Sequence, residues 1–405
     1  MSAHFVIVGG GQAAAQAVQT LRQSGFAGAI TLVGDEPHAP YQRPPLSKKY
    51  LAGELARERL LIRPASFYTE KSIRLELGRR VEHLDRAARR VTLDDGRALE
   101  YDGLLLATGG RPRRLRVPGV ELAGVHYLRT VADVDAIQGS LAGGGPVVLV
   151  GAGYIGLETA AVLVQRGFDV TVLEATDRPM ARVVSPVVSA FYDECHRRAG
   201  VKLVYGATVS GFAGDGRVRA VECADGRSFP CRTAVIGIGI EPNVEIAQAA
   251  GLPCADGILV DRYARTEDPL VFAAGDCANQ PDAHGERRVR LESVPNAIHQ
   301  AKVAAHGLLG EPVPYTEVPW FWSDQYDLKL QIAGLSTGYE EVVVRGDPAE
   351  RRFAAYYLRN GRVIAVDAVN SPRDFLLAKK LIASETPVSA ATLRDPATDL
   401  DRLVT

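Results

Sequence analysis

The hydrophobic positions of this chain fall first into short solid blocks. Phe5–Val8 and Val147–Val150 are uninterrupted apolar runs. A run of that length with no polar alternation predicts a strand buried on both faces, as in a parallel sheet. Each block runs into a glycine-rich turn, and the spacing then becomes helical. After the first turn, Ala14, Ala17, Val18 and Leu21 share one face and Gly25 caps the end. After the second, Leu157, Ala160, Ala161 and Val164 do the same and Gly167 stops the helix. Ile30–Gly34 and Val170–Leu173 are the next strands. The chain thus contains two βαβ openings, their first glycines 142 residues apart.

Each opening is followed by a β-rich middle and a further apolar strand ending in glycine. Leu104–Ala107 runs into Thr108-Gly109-Gly110, and Ala234–Gly239 into Glu-Pro-Asn. Residues 80–102 read as short strands turning at Asp95–Gly96. A repeat this long predicts duplicated nucleotide-binding domains and not a solenoid. Residues 112–146 bridge the two and end in Gly143-Gly-Gly-Pro146. A proline-rich stretch (Pro312, Pro314, Pro319) marks a boundary. Beyond it, Leu328–Ala333, Glu341–Arg345, Phe353–Leu358 and Val363–Val369 are strand-like. Asn360–Gly361 is a hairpin signal, because both residues tolerate positive φ. Phe375–Ile382 reads as a helix.

The glycine spacing carries the chemistry. Gly151, Gly153 and Gly156 form G-x-G-x-x-G; Gly9, Gly11 and Ala14 form G-x-G-x-x-A. The first glycine allows the tight strand-to-helix turn, and the second lets backbone approach a pyrophosphate. The third small residue lets helix and strand pack closely. An acid follows the second strand of each unit, Asp35 (then Glu36) and Glu174, where a ribose 2′-hydroxyl needs an acceptor. Two such fingerprints predict two dinucleotides, a tightly held FAD and an exchangeable nicotinamide cofactor.

Composition narrows the class. The 405 residues hold two or three domains. A net charge of −1 argues against bulk nucleic-acid binding. No apolar run reaches the ~18 residues of a membrane span, and the chain goes almost at once into a strand, with no signal peptide expected. Cys195, Cys223, Cys231, Cys254 and Cys277 are scattered with no C-x-x-C. They predict a reducing, cytoplasmic setting and no zinc site or redox pair.

Three further stretches carry candidate chemistry. Tyr41-Gln-Arg-Pro-Pro-Leu-Ser-Lys48 is stiffened by two prolines and presents Arg43 and Lys48, either to a dinucleotide or only to solvent. Val271–Ala274 delivers Gly275-Asp276 to a strand end. There the carboxylate either accepts from a ribityl hydroxyl or caps a helix. Glu292-Ser-Val-Pro-Asn-Ala opens a helix running through Ala304. Trp320-Phe-Trp322 holds both tryptophans, and such a cluster is ordinarily core; the other possibility is an indole near a flavin edge.

FVIVGGGQAA, YQRPPLSK, LLLATGG, VGAGYIGLE, GIGIEPN, VFAAGDCA, ESVPNA and WFWSDQ occur in that order. Together they resemble the FAD-dependent ferredoxin reductases of bacterial oxygenase systems, within the wider glutathione reductase-type flavoproteins. The likeness covers nearly the whole chain, and RPPLSK with WFWSDQ is its most specific part. It implies an α/β fold with two Rossmann-like dinucleotide-binding domains and a C-terminal α/β domain. The FAD domain would comprise residues 1–111 and 241–318, the NAD domain 112–240 and the C-terminal domain 319–405. The resemblance also implies that Ala13, Asp35, Lys48, Val81, Arg129, Asp276 and Val294 contact FAD, with Arg43 and Pro44 lining the flavin. Gly151, Gly153, Tyr154, Ile155, Gly156, Glu158 and Glu174 would hold NAD. Glu158 would lie near the nicotinamide and pair with Lys48, these two being the catalytic candidates. Gly239 and Trp322 complete the expected cofactor contacts.

Disulfide reductases of this fold carry redox cysteines early in the chain, and residues 37–55 here contain none. Electrons are therefore expected to leave the flavin directly. Glu174 repels a 2′-phosphate, so NADH is the expected donor, although Arg178 lies four residues on. The expected acceptor is an acidic [2Fe–2S] ferredoxin, feeding a cytochrome P450 or a Rieske oxygenase. It would dock on local positive charge: Arg287, Arg288, Arg290, Lys302, Lys379 and Lys380. Each of these is also readable as a solvated surface cation. A competing reading is a redox-sensing protein like apoptosis-inducing factor, but neither targeting nor basic DNA-binding segments are evident. A monomer or weak dimer is expected.

Overall fold

The computed structural model describes residues 3–283, 287–395, 397–399 and 402. Residues 1 and 405, the expected outer limits of the first and last domain segments, lie outside the described residues. The elements that carry the argument are strands β1 (His4–Val8), β2 (Ala29–Gly34), β3 (Ile73–Leu77), β4 (Gly103–Leu106), β5 (Val125–Tyr127), β6 (Val147–Val150), β7 (Val170–Leu173), β8 (Lys202–Val204), β9 (Thr233–Ile236) and β10 (Val271–Ala273). A C-terminal set follows, β11 (Trp320–Gln325), β12 (Leu328–Gly334), β13 (Glu341–Asp347), β14 (Arg352–Arg359) and β15 (Arg362–Val369). The helices are α1 (Gln12–Gln23), α2 (Tyr154–Gln165), α3 (Pro186–Arg198), α4 (Val294–Leu308) and α5 (Pro372–Ser384).

The chain forms two compact units. The first takes residues up to Gln42, Arg57–Arg111 and Glu241–Pro319. Its sheet is parallel in the order β10-β4-β1-β2-β3. Phe5 and Ile7 face one core with Ala14, Val18 and Leu21 of α1; Val6 and Val8 face the other with Leu104 and Leu106. Both faces being covered is why these strands read as unbroken apolar blocks. α1 packs against α4, whose buried Ala297, Ala301 and Ala304 keep the two helices close.

The second unit takes Arg43–Ala56, Pro112–Ile240 and the described residues from Trp320 onward. Its parallel sheet, β8-β7-β6-β9-β5, repeats the first. The repetition reaches single hydrogen bonds. Gly9 donates to Val33 at 2.7 Å and Gly151 to Leu173 at 2.8 Å; Ala107 donates to Val8 at 2.7 Å and Gly237 to Val150 at 2.8 Å. The short segment Arg43–Ala56, read with residues 1–111 in the sequence, packs in this second unit. Its hydrogen bonds explain the placement: Tyr50 Oη donates to Asp135 at 2.7 Å, Gln138 to the Tyr50 carbonyl at 2.8 Å and Arg166 to the Leu51 carbonyl at 2.9 Å.

The C-terminal strands form an antiparallel sheet, β11-β12-β15-β14-β13, covered by α5. Asn360 and Gly361, both at positive φ, make the β14–β15 turn as expected. Trp320, Phe321 and Trp322 lie on the edge strand β11 and are half-buried, so the expectation of a core cluster is corrected. An edge strand packs on fewer neighbours than an inner one, and part of each ring stays in solvent.

Inside this sheet Asp367 is 1% exposed. Tyr357 Oη donates to its Oδ2, and its Oδ1 has no partner among the described residues. Burial pushes this carboxyl up to about 7. Between the unfolded value of 3.8 and about 7 the folded chain holds the extra proton. Stability therefore falls as pH rises through that window, by at most about 1.4 kcal/mol per pH unit, and is flat above it. Asp367→Asn removes the charge that must be buried. Its melting temperature is expected to exceed the native one at pH 8, with the advantage shrinking toward pH 4. A difference that is the same at both pH values would show that Asp367 does not titrate in this window.

Candidate dinucleotide sites and the buried carboxylate

In the first unit, Gly9 has φ +132° and a Cβ placed on it would lie 2.0 Å from the Ala107 carbonyl oxygen. Only glycine fits, because that oxygen belongs to the neighbouring strand-end backbone. Gly11 caps α1 with no side-chain hydrogen bond, and a Cβ there would meet nothing within 4 Å. The α1 N-terminus therefore has no side-chain cap and open space beside Gly11, as an approaching pyrophosphate requires. Ala13 and Ala14 are buried in the same turn. Gly275 has φ +85°, a Cβ placed on it would lie 3.3 Å from that of Ala13, and its N–H donates to Gln300 Oε1 at 2.7 Å. Asp276 follows in a turn after β10, not at a helix start, so the capping possibility is ruled out. Ser293 caps α4 instead, and Val294 is that helix's first residue. Asp35 is exposed just past β2, 3.8 Å from Arg80. Arg79 donates to the Gly34 carbonyl at 3.0 Å, which brings Val81 alongside the same strand end. The residues fit an FAD.

The second unit repeats the turn. Gly151 has φ +104°, with a built Cβ 2.4 Å from the Gly237 oxygen; one on Gly156 would be 2.0 Å from the Gly151 oxygen. Gly153 caps α2 without a side-chain bond and faces open space. Ile155 is 42% exposed at the start of α2, an apolar side chain displayed where a ligand would cover it. Glu174 accepts from the Ala152 N–H at 2.7 Å and the Thr176 N–H at 2.9 Å, which fixes the carboxylate beside the glycine turn. Gly239, at φ +102°, ends the next segment near Arg113 and Arg182. This turn fits a second dinucleotide. Arg178, the possible 2′-phosphate partner, is spoken for: its guanidinium donates to the Ala181 and Val184 carbonyls and to Ser189 Oγ at 2.5–3.0 Å.

Lys48 and Glu158 meet. Pro44–Ser47 forms a 3-10 turn, whose N1 prolines fix φ and whose end aims Ser47 and Lys48 at α2. Lys48 Nζ lies 2.7 Å from Glu158 Oε2, and Ser47 Oγ donates to the same oxygen at 2.6 Å. Ser323 Oγ of β11 donates to Oε1 at 2.7 Å. The Glu158 side chain is 1% exposed and that of Lys48 19%. A buried carboxylate is tolerated because both oxygens accept and a cation neutralises it. The sequence did not single out Ser47 or Ser323; each lies inside a quoted motif but carries no spacing signal of its own.

The other expected contacts of this unit are placed as follows. Arg43 donates to the Arg129 carbonyl at 2.8 Å. Pro44 supplies a carbonyl 3.4 Å from Lys48 Nζ. Tyr154 packs on Phe321 with centroids 4.8 Å apart and the rings tilted by 40°. Trp322 lies 5.6 Å from Trp320, over which Lys379 places its ammonium at 5.7 Å.

The proposed docking cations divide. Arg288 donates to the Val260 and Asn279 carbonyls, and the Arg290 side chain is 7% exposed between Asp256 and Glu292. Arg290, neutralised by two acids, offers a partner little charge, a correction to the expectation; Arg288 is exposed and keeps its charge although it also braces two carbonyls. Arg287 lies 3.9 Å from Asp282; Lys302 and Lys380 are exposed. All five cysteines are free, and no group of metal-binding side chains exists among the described residues. No described helix is long and apolar enough to cross a membrane.

Residues 3–301 match the family described as pyridine nucleotide-disulphide oxidoreductase, and residues 320–404 the family described as reductase C-terminal. Rhodocoxin reductase of Rhodococcus erythropolis is 46% identical, covering 98% of this chain and 93% of the relative. Putidaredoxin reductase of Pseudomonas putida is 43% identical over 99% of this chain and 96% of the relative. The crystal structure of the ferredoxin reductase for the CYP199A2 system of Rhodopseudomonas palustris superposes with a TM-score of 0.96 at 41% identity, covering 99% and 100% of the two chains. The covalent putidaredoxin reductase–putidaredoxin complex also matches, with a TM-score of 0.96 at 42% identity over 99% and 98%.

Proposed function

This chain belongs to the pyridine nucleotide-disulphide oxidoreductase family, and from that premise we propose that it is an NADH-dependent ferredoxin reductase, a ferredoxin–NAD(+) reductase serving an oxygenase. The observation that carries this reading is the match along the whole chain, C-terminal domain included, to reductases named for ferredoxins. FAD and NADH supply the redox chemistry when bound: a hydride is taken up as a pair of electrons and the pair is released singly to a [2Fe–2S] cluster.

The chain's own residues do the rest. The uncapped N-termini of α1 and α2, behind Gly9-x-Gly11 and Gly151-x-Gly153, hold the two pyrophosphates on backbone N–H groups. Asp35 and Glu174 accept from ribose hydroxyls, and Asp276 from the ribityl chain. Arg43, Pro44, Val81, Arg129, Val294 and Trp322 line the flavin; Tyr154, Ile155 and Gly239 line the nicotinamide nucleotide. Lys48 presents a cation to the negative charge that develops on reduction. Glu158 holds the Lys48 ammonium in place and bounds the nicotinamide pocket. Glu174 disfavours a 2′-phosphate, and Arg178 cannot offset it while its guanidinium is engaged. We assign residues 1–111 and 241–318 to the FAD domain, 112–240 to the NAD domain and 319–405 to the C-terminal domain. The absence of cysteine in residues 37–55 supports direct electron exit without a thiol relay. Arg287, Arg288, Lys302, Lys379 and Lys380 are the remaining candidates for an acidic ferredoxin, whose terminal acceptor is a P450 or a Rieske oxygenase.

The test is NADH-driven cytochrome c reduction with and without an added [2Fe–2S] ferredoxin. Strong stimulation by ferredoxin, weakened by salt, is expected. Rapid flavin reduction with no stimulation by any member of a ferredoxin panel would remove the assignment.

A further inference from the structure

Glu158 Oε1 is the end of a longer chain of contacts. Ser323 Oγ, which donates to it at 2.7 Å, receives the Gln325 side-chain N–H at 3.2 Å. Gln325 Oε1 lies 2.8 Å from His196 Nε2, and the Tyr326 hydroxyl lies 2.9 Å from His196 Nδ1. Ser323, Gln325 and His196 are at most 1% exposed, so no solvent offers them alternative partners. Tyr326 is half-buried and lines a surface cavity with Phe191, Cys195 and Arg351. These residues come from α2, α3, β11 and the turn after β11, and no known role of the dinucleotide sites requires the distal three.

One charge orders every proton in this chain. An ionised carboxylate only accepts. Ser323 must therefore donate to Glu158, which leaves its lone pair for the Gln325 amide N–H. Gln325 must then turn its oxygen to His196, so His196 carries its proton on Nε2. Its Nδ1 is left to accept from Tyr326. Every donor points toward Glu158, an arrangement in which successive hydrogen bonds polarise one another. Burial lowers the His196 pKa, which favours the neutral ring this pattern needs. The far end is held at a cost. Tyr326 has φ +58° in the turn between β11 and β12, a conformation that glycine or asparagine adopts more cheaply than a bulky ring. The strain is repaid by the hydroxyl's seat on His196.

We infer that Gln325, His196 and Tyr326 are positioning residues that orient the Ser323 hydroxyl onto Glu158 and thereby fix the carboxylate that holds Lys48. Their role in hydride transfer rests on the reductase reading above; the proton order itself does not.

The experiment is 15N NMR of the histidine side chains in the oxidised holoenzyme, with no NADH or ferredoxin present. The His196 signals are identified by their loss in His196→Gln. The expected result is protonated Nε2 and unprotonated Nδ1. Glu158→Gln is the decisive variant. The Lys48 ammonium requires an acceptor at the Oε2 position, so the new amide nitrogen faces Ser323. Ser323 must then donate to Gln325, the amide turns over, and the His196 proton moves to Nδ1. A native His196 protonated on Nδ1, or a tautomer unchanged in Glu158→Gln, overturns the inference. A second readout addresses function. Gln325→Leu is expected to slow flavin reduction by NADH about tenfold with FAD content unchanged; a native rate would remove the positioning role. Failure of ferredoxin to accept electrons would leave both results standing and strike only the reductase reading.

Discussion

Lys48→Ala is expected to slow flavin reduction by NADH about hundredfold while FAD stays bound. Two effects of the lost ammonium act in the same direction. The cation that meets developing negative charge is gone, and removal of one such group ordinarily costs 10²–10³ in rate, order of magnitude. The Glu158 carboxylate, 1% exposed, also loses the ammonium that lies 2.7 Å from it. Breaking a buried pair from one side costs about 3–5 kcal/mol. The two hydroxyls that remain on Glu158 place the cost toward the lower end of that range. The variant should therefore melt lower as well as react more slowly. Lys48→Arg separates the two, because it keeps the charge but changes its shape. Stopped-flow absorbance of the oxidised flavin reads the rate directly. A native rate in Lys48→Ala would remove the residue from the chemistry.

The second large effect is expected at the first glycine turn, where two neighbouring substitutions should both weaken flavin retention but differ in whether the chain still folds. Gly9→Ala puts a methyl 2.0 Å from the Ala107 oxygen at a φ of +132°. Neither strand can yield, since Gly9 is bonded to Val33 and Ala107 to Val8, both at 2.7 Å. The variant is expected to lose flavin and to accumulate poorly. Gly11→Ala meets nothing within 4 Å and has an ordinary φ of −102°. It should fold with a native melting point as apoprotein, yet retain FAD at least about tenfold less well, because its methyl occupies the approach of the pyrophosphate. Absorbance ratios after gel filtration, with melting curves of both apoproteins, check the pair. Equal flavin retention in Gly11→Ala and the native protein would move the pyrophosphate elsewhere.

What could be read from the sequence was local. The glycine turns and the apolar blocks before them announce strand, turn and helix within about a dozen residues, and the duplicate hydrogen bonds at Gly9 and Gly151 show how closely the two units obey the pattern. Asn360–Gly361 was equally legible, because a two-residue hairpin is specified by its own φ requirement. The carboxylate network was not. Ser47, Glu158 and Ser323 are separated by more than a hundred residues at each step, and serine is too common to signal anything alone. The tryptophan cluster misled for a related reason: composition does not tell an inner strand from an edge strand, and β11 is an edge. Arg290 was misjudged because two local acids, invisible in a list of charges, had already claimed it.

Arg178 bears on any attempt to retarget the donor specificity. Its guanidinium braces the loop before α3 by binding the Ala181 and Val184 carbonyls and Ser189, which in turn donates to Pro179. On the proposed role of Glu174, neutralising it removes a repulsion without recruiting an attraction. Pulling Arg178 out to serve a 2′-phosphate would take its hydrogen bonds from the Ala181 and Val184 carbonyls. A cation for that phosphate has to be introduced afresh at the end of β7, so a change of coenzyme in this scaffold requires at least two substitutions.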